Sequence, residues 1–344
     1  TDSALVTPNQ TFSSATEDTG GTTPIPPETD SPAPDNTPYT TAGPTNTPTQ
    51  NYGDYKYYQF NLGKSGYSSV VYSGDDAVSA GISSDESSGV DFNVVSDGSR
   101  DLNYGVLRIQ NPYNAQGFNL KELLQSPLKI PADGSLDRPP VILYYTHTSE
   151  GYCSSEEDKL IANKKSLATY DENRNVVGCG NIIEQLVESQ GIGVINCNDI
   201  NDENYNDAYN SSHKLVKNVA AANKSVDLSI DIHSNSFEYP AGKRYGPKVS
   251  SGDTDYAKIL FVITAGDANP NWQENIKLAM LIIEKMESKV PGISLGISLR
   301  NDAKYNSVYT NKSFITEIGF EGNLVSEANA TAKILGEVLG EIYG

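Results

Sequence analysis

The 344-residue chain carries 25 Lys+Arg against 44 Asp+Glu, with three cysteines and three histidines. That length buries a full core and leaves room for two domains and a tail. The acidic balance and the lack of any basic block exclude a nucleic-acid footprint, and an acidic surface does not gather anionic substrates from a distance, so recognition has to be local.

The chain begins at Thr1 rather than Met, as expected where an N-terminal signal or anchor has been removed. Residues 1–50 hold 9 of the 18 prolines, 14 threonines and no Lys or Arg. Text such as TTPIPPETDSPAPDNTPYT cannot bury enough apolar surface to offset its ordering entropy, so 1–50 reads as a disordered, extended linker. From 51 to 134 the texture is Tyr, Gly and Ser, with six tyrosines in NYGDYKYYQFNLGKSGYSSVVY. This suits a small β-rich N-terminal segment, including a strand over 104–113 and a short helix in FNLKELLQSPLKI. The tyrosines at 52–58 suit glycan stacking or, more simply, packing.

From 135 to 344 strands and helices alternate. VILYYT (141–146) is a buried strand. NVVGCGNIIEQLVESQ (175–190) has apolar residues at helical spacing and stops at Gly191. IGVINC (192–197) is a strand, 213–224 a helix, VDLSIDI (226–232) and KILFVIT (258–264) strands. NIKLAMLIIEKMESK (275–289) is a helix stopped by Pro291. ISLGISL (293–299) and SFITEIG (313–319) are strands, and 326–343 is a helix with Ser326 as N-cap. The expected fold is therefore α/β: a mostly parallel twisted sheet with helices on both faces. Apolar runs are too short to cross a bilayer. Cys153, Cys179 and Cys197 form neither a disulfide framework nor a CxxC pair, and the odd count leaves at least one thiol unpaired.

In open α/β sheets, sites form at the carboxyl ends of strands. His147 follows the strand 141–146, His233 follows 226–232, and Glu317 lies near the end of 313–319. Two imidazoles and a carboxylate with an open fourth position are the ligand set of catalytic zinc. HTSE brings His147 and Glu150 within reach of one ion, because a turn after a strand brings residues three apart together. Glu317, apart on its own strand, is the expected acid–base carboxylate. Two plainer interpretations stand beside this one. A histidine after a strand often serves only as a hydrogen-bonded turn residue, and Glu172 in YDENRNVVGCG is either a first-turn helix acid or the zinc carboxylate in place of Glu150. His213 starts a helix without a partner and reads as solvated or capping.

YYTHTSEGY, NVVGCGNIIEQLVESQGIGV, DENYNDAYNSS, DLSIDIHSNS, FVITAGDANPNWQENIKLAMLIIEKM, VPGISLGISLRNDAKYNSVYT and SFITEIGFEGNLVSEANATAKIL occur in that order. Over roughly 102–344 the chain thereby resembles the stage II sporulation protein P family, within the wider class of zinc-dependent N-acetylmuramoyl-L-alanine amidases. The resemblance implies zinc ligation by His147 and His233, with Glu150 favoured over Glu172 as third ligand, and Glu317 as catalytic glutamate. It implies hydrolysis of the amide between N-acetylmuramic acid and L-alanine in peptidoglycan, and the family is also associated with cutting peptide cross-links. The implied setting is forespore engulfment, outside the cytoplasm at the sporulation septum, with stage II sporulation proteins D and M as partners and membrane attachment only through an anchor not in this chain. One departure is DIHSNS where the family has DIHRDS-like text, so a substrate contact by that arginine is not carried over. Two other functions fit HTSE and the later His: a carboxypeptidase-like zinc peptidase using Arg300 for a free carboxylate, and a wall-binding scaffold with a decayed metal site.

Overall fold

The structure, a computed structural model, describes residues 55–63, 66–73, 93–94, 102–111, 118–160, 166–236, 242–267, 269–301 and 303–344. The expected linker over 1–50 lies outside them. Strands β1 (Tyr55–Leu62) and β2 (Tyr67–Ser73) form an antiparallel pair, joined on the other edge of β1 by β7 (Leu128–Pro131). Between them in sequence come β3 (Asn93–Val94), β4 (Leu102–Tyr104), β5 (Leu107–Gln110), β6 (Phe118–Asn119) and the one-turn helix α1 (Leu120–Leu123). The expected single strand over 104–113 is in fact the hairpin β4–β5, because Gly105 turns the chain at φ +59°. Tyr58 is buried and its hydroxyl donates to the Ile342 carbonyl, so at this position the tyrosine text serves packing.

The remaining elements follow in order as β8 (Val141–Tyr144), α2 (Val176–Glu188), β9 (Val194–Asn196), α3 (Ala208–Ala222) and β10 (Leu228–Asn235). The hairpin β11 (Lys248–Ser251) and β12 (Thr254–Ala257) precedes β13 (Ile259–Thr264), α4 (Trp272–Lys289), β14 (Ser294–Arg300), β15 (Lys312–Phe320) and α5 (Val325–Tyr343). Eight strands make one sheet in the order β4-β5-β14-β13-β15-β10-β8-β9. Strands β9, β8, β10 and β15 are mutually parallel. β13 runs antiparallel to β15, and β14 and β5 follow β13 in direction. The fold is thus the expected mostly parallel α/β sheet, reversed between β15 and β13 and again at its edge between β5 and β4. The β4–β5 hairpin, which the sequence suggests belongs to a separate N-terminal segment, is hydrogen-bonded onto this large sheet through β14.

Side chains alternate across a strand, and β8 shows why both sheet faces are covered. Val141 and Leu143 enter the main core with α2, α4 and α5 residues, whereas Ile142 and Tyr144 enter a smaller cluster with Val216 of α3. Both faces of a central strand must then be apolar, which is what VILY supplies. Gly191 stops α2 at φ +85°, and α4 stops at Val290, before Pro291. The N-cap of α5 is Leu324 rather than Ser326: the Glu327 carboxylate reaches back to accept from the Leu324 N–H at 3.0 Å, so the acid sets the helix start. Helix α3 begins before His213, and His213 is not partnerless, since its Nδ1 lies 2.8 Å from the Tyr309 hydroxyl.

No described helix is long and apolar enough to cross a membrane. All three cysteines are unpaired and buried, and burial pushes the Cys179 thiol up to about 12 and those of Cys153 and Cys197 up to about 11.

Candidate functional site

Where β8 ends, THTSE folds into a turn closed by the Glu150 N–H donating to the His147 carbonyl at 3.1 Å. The turn is held from both sides. Ser149 donates its N–H and hydroxyl to Asp202 at 3.0 and 2.6 Å, and the Asn175 side chain donates to the Thr148 carbonyl at 3.0 Å. His147 and Glu150, three residues apart, are thus brought to one side of a fixed turn. Glu150 reaches onto β10, where its Oε2 accepts from the Ser234 N–H at 2.7 Å. Both its oxygens stand 3.3 Å from His233 Nδ1.

On β10 the two-residue period puts Asp231 and His233 on one face and Ile230 and Ile232 on the other, in the core. The parallel register pairs His233 with Glu317 of β15, so the two side chains share that polar face. Here the structure differs from the sequence expectation in one respect. His147 does follow its strand, but β10 and β15 run on past the end of β8, so His233 and Glu317 sit within strands. The site lies on the α3 face of the sheet, beside the end of β8.

His147 is buried, stacked on Tyr205 at 4.3 Å between ring centroids, edge-on to Tyr209 at 5.7 Å and to His233 at 5.5 Å. Burial holds the His147 imidazole below its ordinary pKa despite the pull of Glu150, which favours the neutral ring. Burial alone would lower His233 too, but the carboxylates of Asp231 and Glu150 outweigh it and hold that imidazole well above its usual value. Removal from water pushes the Glu317 carboxyl up to about 8; the charges of His233 and Arg300 pull it back, while Glu150 and Asp231 raise it further. His147 Nδ1, His233 Nε2 and Glu317 Oε2 are buried without a hydrogen-bond partner. Three such atoms in one place are unusual in a folded interior.

Glu172 is elsewhere: it is exposed, with Oε2 accepting from the Asn181 side chain at 3.0 Å. Arg300 ends β14 opposite Thr264, its charge acts on Glu317, and its guanidinium carbon lies 5.6 Å from the centroid of the Tyr305 ring, which meets Tyr209 edge-on. Four site neighbours escape the sequence argument: Asp231, Asp202, Tyr205 and Tyr209. For Asp231 a signal exists, since D-x-H on a strand puts both side chains on the same face. For the other three no local pattern exists, because Asp202 and Tyr205 come from the segment between β9 and α3 and Tyr209 from the first turn of α3, and they meet the site only through the fold.

Among the described residues no three His, Cys, Asp or Glu side chains already surround a common point. The fit of a metal is therefore judged on the atoms that do face one another. A charge-assisted hydrogen bond closes to about 2.7–2.9 Å, whereas two ligands of one tetrahedral zinc, at bond lengths near 2.0–2.2 Å, stand about 3.3–3.5 Å apart. The 3.3 Å between His233 Nδ1 and each Glu150 oxygen matches one edge of such a tetrahedron. His147, with an unpartnered nitrogen beside that edge, supplies the donor type that would complete the set. The donor set fits zinc.

Comparison with known proteins adds the family. The family model of stage II sporulation protein P matches residues 87–340. Stage II sporulation protein P of Bacillus subtilis (strain 168) is 30% identical over 221 residues, which cover 60% of this chain and 52% of that protein, so the chain spans about half the length of this relative. Among solved structures, the CwlD amidase from Clostridioides difficile in complex with the GerS lipoprotein is 17% identical with a TM-score of 0.36, covering 59% of this chain and 96% of that one. The catalytic domain of CwlV, an N-acetylmuramoyl-L-alanine amidase from Bacillus (Paenibacillus) polymyxa var. colistinus, is 12% identical with a TM-score of 0.34, covering 58% and 96%. Likeness of that degree says nothing of catalysis. The family match spans most of the sequence and includes every residue of the site just described, and the chain belongs to the stage II sporulation protein P family.

Proposed function

We propose that the chain is a zinc-dependent peptidoglycan hydrolase that cleaves the amide between N-acetylmuramic acid and the L-alanine of the stem peptide. The observation that carries this reading is the 3.3 Å edge between His233 Nδ1 and Glu150, with Glu317 in register on the adjacent strand. His147, Glu150 and His233 would hold the ion, with Glu150 rather than the exposed Glu172 as the carboxylate ligand. Bound there, zinc would acidify a water and polarise the scissile carbonyl.

The chain's own contribution to the chemistry is proton handling. Glu317 has a strong affinity for a proton, with a pKa near 8, because its carboxyl is withdrawn from water. Beside a bound cation that carboxyl would be ionised, and it would then accept a proton from the attacking water and pass it to the amide nitrogen as the C–N bond breaks. Nitrogen departs as an amine, and the lactyl carbonyl becomes a carboxylate. The polar ties from Asp202 and Ser234 keep Glu150 and its turn in place through that cycle.

Family membership supports a role in sporulation. The proposed setting is wall remodelling outside the cytoplasm during engulfment, with the stage II sporulation proteins D and M as partners. The test is digestion of purified sacculi by the zinc-supplied protein, with products resolved by mass spectrometry. The reading expects glycan strands stripped of peptide together with stem peptides bearing a free L-alanine amine, and neither from Glu317→Ala. Loss of carboxy-terminal residues alone would favour a carboxypeptidase, and binding to sacculi without any release would favour a scaffold.

A further inference from the structure

We infer that Tyr205 is the sugar platform of this site: the outer face of its ring stacks on an uncharged amino-sugar ring of the substrate's glycan strand. The inference rests on the hydrolase reading proposed above and says which side of the site the glycan takes. Among the described side chains only two aromatic rings are exposed, Tyr205 at 51% and Tyr170 at 48%. Both stand at this site, since the charge of Asp202, which ties down the HTSE turn, reaches the hydroxyls of both. Exposed apolar surface gathered at one place on a polar protein marks a contact surface.

Tyr205 is held in place from below. It opens a single turn, Tyr205–Asp207, that leads into α3, and the Asn204 side chain caps this turn by accepting from the Asn206 N–H at 3.2 Å. One face of the ring packs on His147, at 4.3 Å between centroids and 18° from parallel. The exposure therefore falls on the other face and the outer edge. Support of His147 does not require it, because an aliphatic side chain would pack on the imidazole without holding half of an aromatic ring in water. A pyranose presents a flat patch of C–H groups bordered by hydroxyl and acetamido groups, so it covers an aromatic face while its edge meets polar side chains. Asn204 and Asn206, exposed on either side of Tyr205 in sequence, offer amides for that edge. Charge selects the sugar over the peptide. The exposed carboxylates of Glu203 and Asp207 flank Tyr205 in sequence, and residues 175–213 contain no Lys or Arg. Such a rim repels the free carboxylates of a stem peptide, whereas a glycan strand whose lactyl groups are amide-linked carries no charge. The cation that acts on Glu317, Arg300, comes from β14, on the opposite side of the site in the strand order.

The test uses the full chain and a soluble chitin oligosaccharide, an uncharged amino-sugar strand without peptide. Its affinity is read by NMR titration, which also detects weak binding, for wild type, Tyr205→Phe and Tyr205→Leu. The inference expects the Tyr205 ring signals, assigned by their loss in Tyr205→Phe, to shift as the oligosaccharide binds wild type. Tyr205→Phe, which keeps the ring face, is expected to bind about as tightly, and Tyr205→Leu about tenfold more weakly or less still. Free stem peptide is expected not to displace the oligosaccharide. No binding to wild type, binding that leaves the Tyr205 signals in place, equal affinity in Tyr205→Leu, or displacement by stem peptide would each overturn it. If Tyr205→Leu does not fold, the wild-type titration decides alone. Oligosaccharide binding by a protein that releases nothing from sacculi when supplied with zinc overturns the proposed function and spares this inference. Hydrolysis of sacculi without oligosaccharide binding at Tyr205 does the reverse.

Discussion

Replacing Glu317 by Gln keeps the shape of the side chain and removes its charge, and the structure fixes the sign of the result in metal-free protein. The folded-state pKa is about 8 against an ordinary 4.5, chiefly because the carboxyl is removed from water. Below pH 4.5 the group is neutral in both folded and unfolded chains and has no effect on stability. As pH rises from there to about 8 the unfolded chain releases the proton while the folded chain retains it, so the wild type loses stability across that interval. At about 1.4 kcal/mol per pH unit the whole interval amounts to ~5 kcal/mol, which residual contact with water reduces to on the order of 2 kcal/mol. Urea unfolding of chelator-treated wild type and Glu317→Gln at pH 5 and pH 8 measures the difference. The variant is expected to be the more stable by about 2 kcal/mol at pH 8, with most of the gap gone at pH 5. Added zinc closes the gap at pH 8, since a nearby cation supplies the missing counter-charge. Equal stabilities at both pH values, or a gap that widens toward pH 5, would refute the reasoning.

Three further outcomes are expected. Glu150→Gln should lose zinc by elemental analysis while Glu172→Gln keeps it, because only the first carboxylate faces His233 Nδ1. Zinc binding near neutral pH should release protons, read by calorimetry in buffers of different ionisation heat, because His233 is held above its ordinary pKa and must shed a proton to ligate. Affinity for zinc should therefore rise with pH above the ordinary histidine range. Lys312→Met should cost about 3–5 kcal/mol in denaturant melts without altering zinc content. It strands Asp227, a buried carboxylate that Lys312 Nζ meets at 2.9 Å through both oxygens, far from the site face.

The core elements of the sheet could be read from the sequence because their residues obey a local rule. VILY and ILFVIT are runs that only a doubly covered strand tolerates, LSIDI alternates with the two-residue period of a strand, and Gly191 and Pro291 mark helix ends by backbone geometry alone. The reversal at β13 could not be read, because an antiparallel neighbour leaves no mark on an apolar strand buried on both faces. The start of α5 is not legible, because Ser326 looks like a cap while the group that caps is the side chain of Glu327 reaching back one turn. Within the site, HTSE and D-x-H announce themselves through turn and strand periodicity. Choosing between Glu150 and Glu172 required knowing which of them reaches β10, and that depends on the Ser149–Asp202 and Asn175–Thr148 ties, which join residues distant in sequence. Tyr205 and Tyr209 belong to the same class, since their place beside His147 follows from how α3 sits on β8.

The zinc site itself is tested most directly by elemental analysis of the purified chain after equilibration with zinc and removal of excess. The account predicts about one zinc per chain in the wild type and in Glu317→Ala, and essentially none in His233→Ala. A wild type without zinc, or a His233→Ala protein that carries as much as wild type, would contradict it.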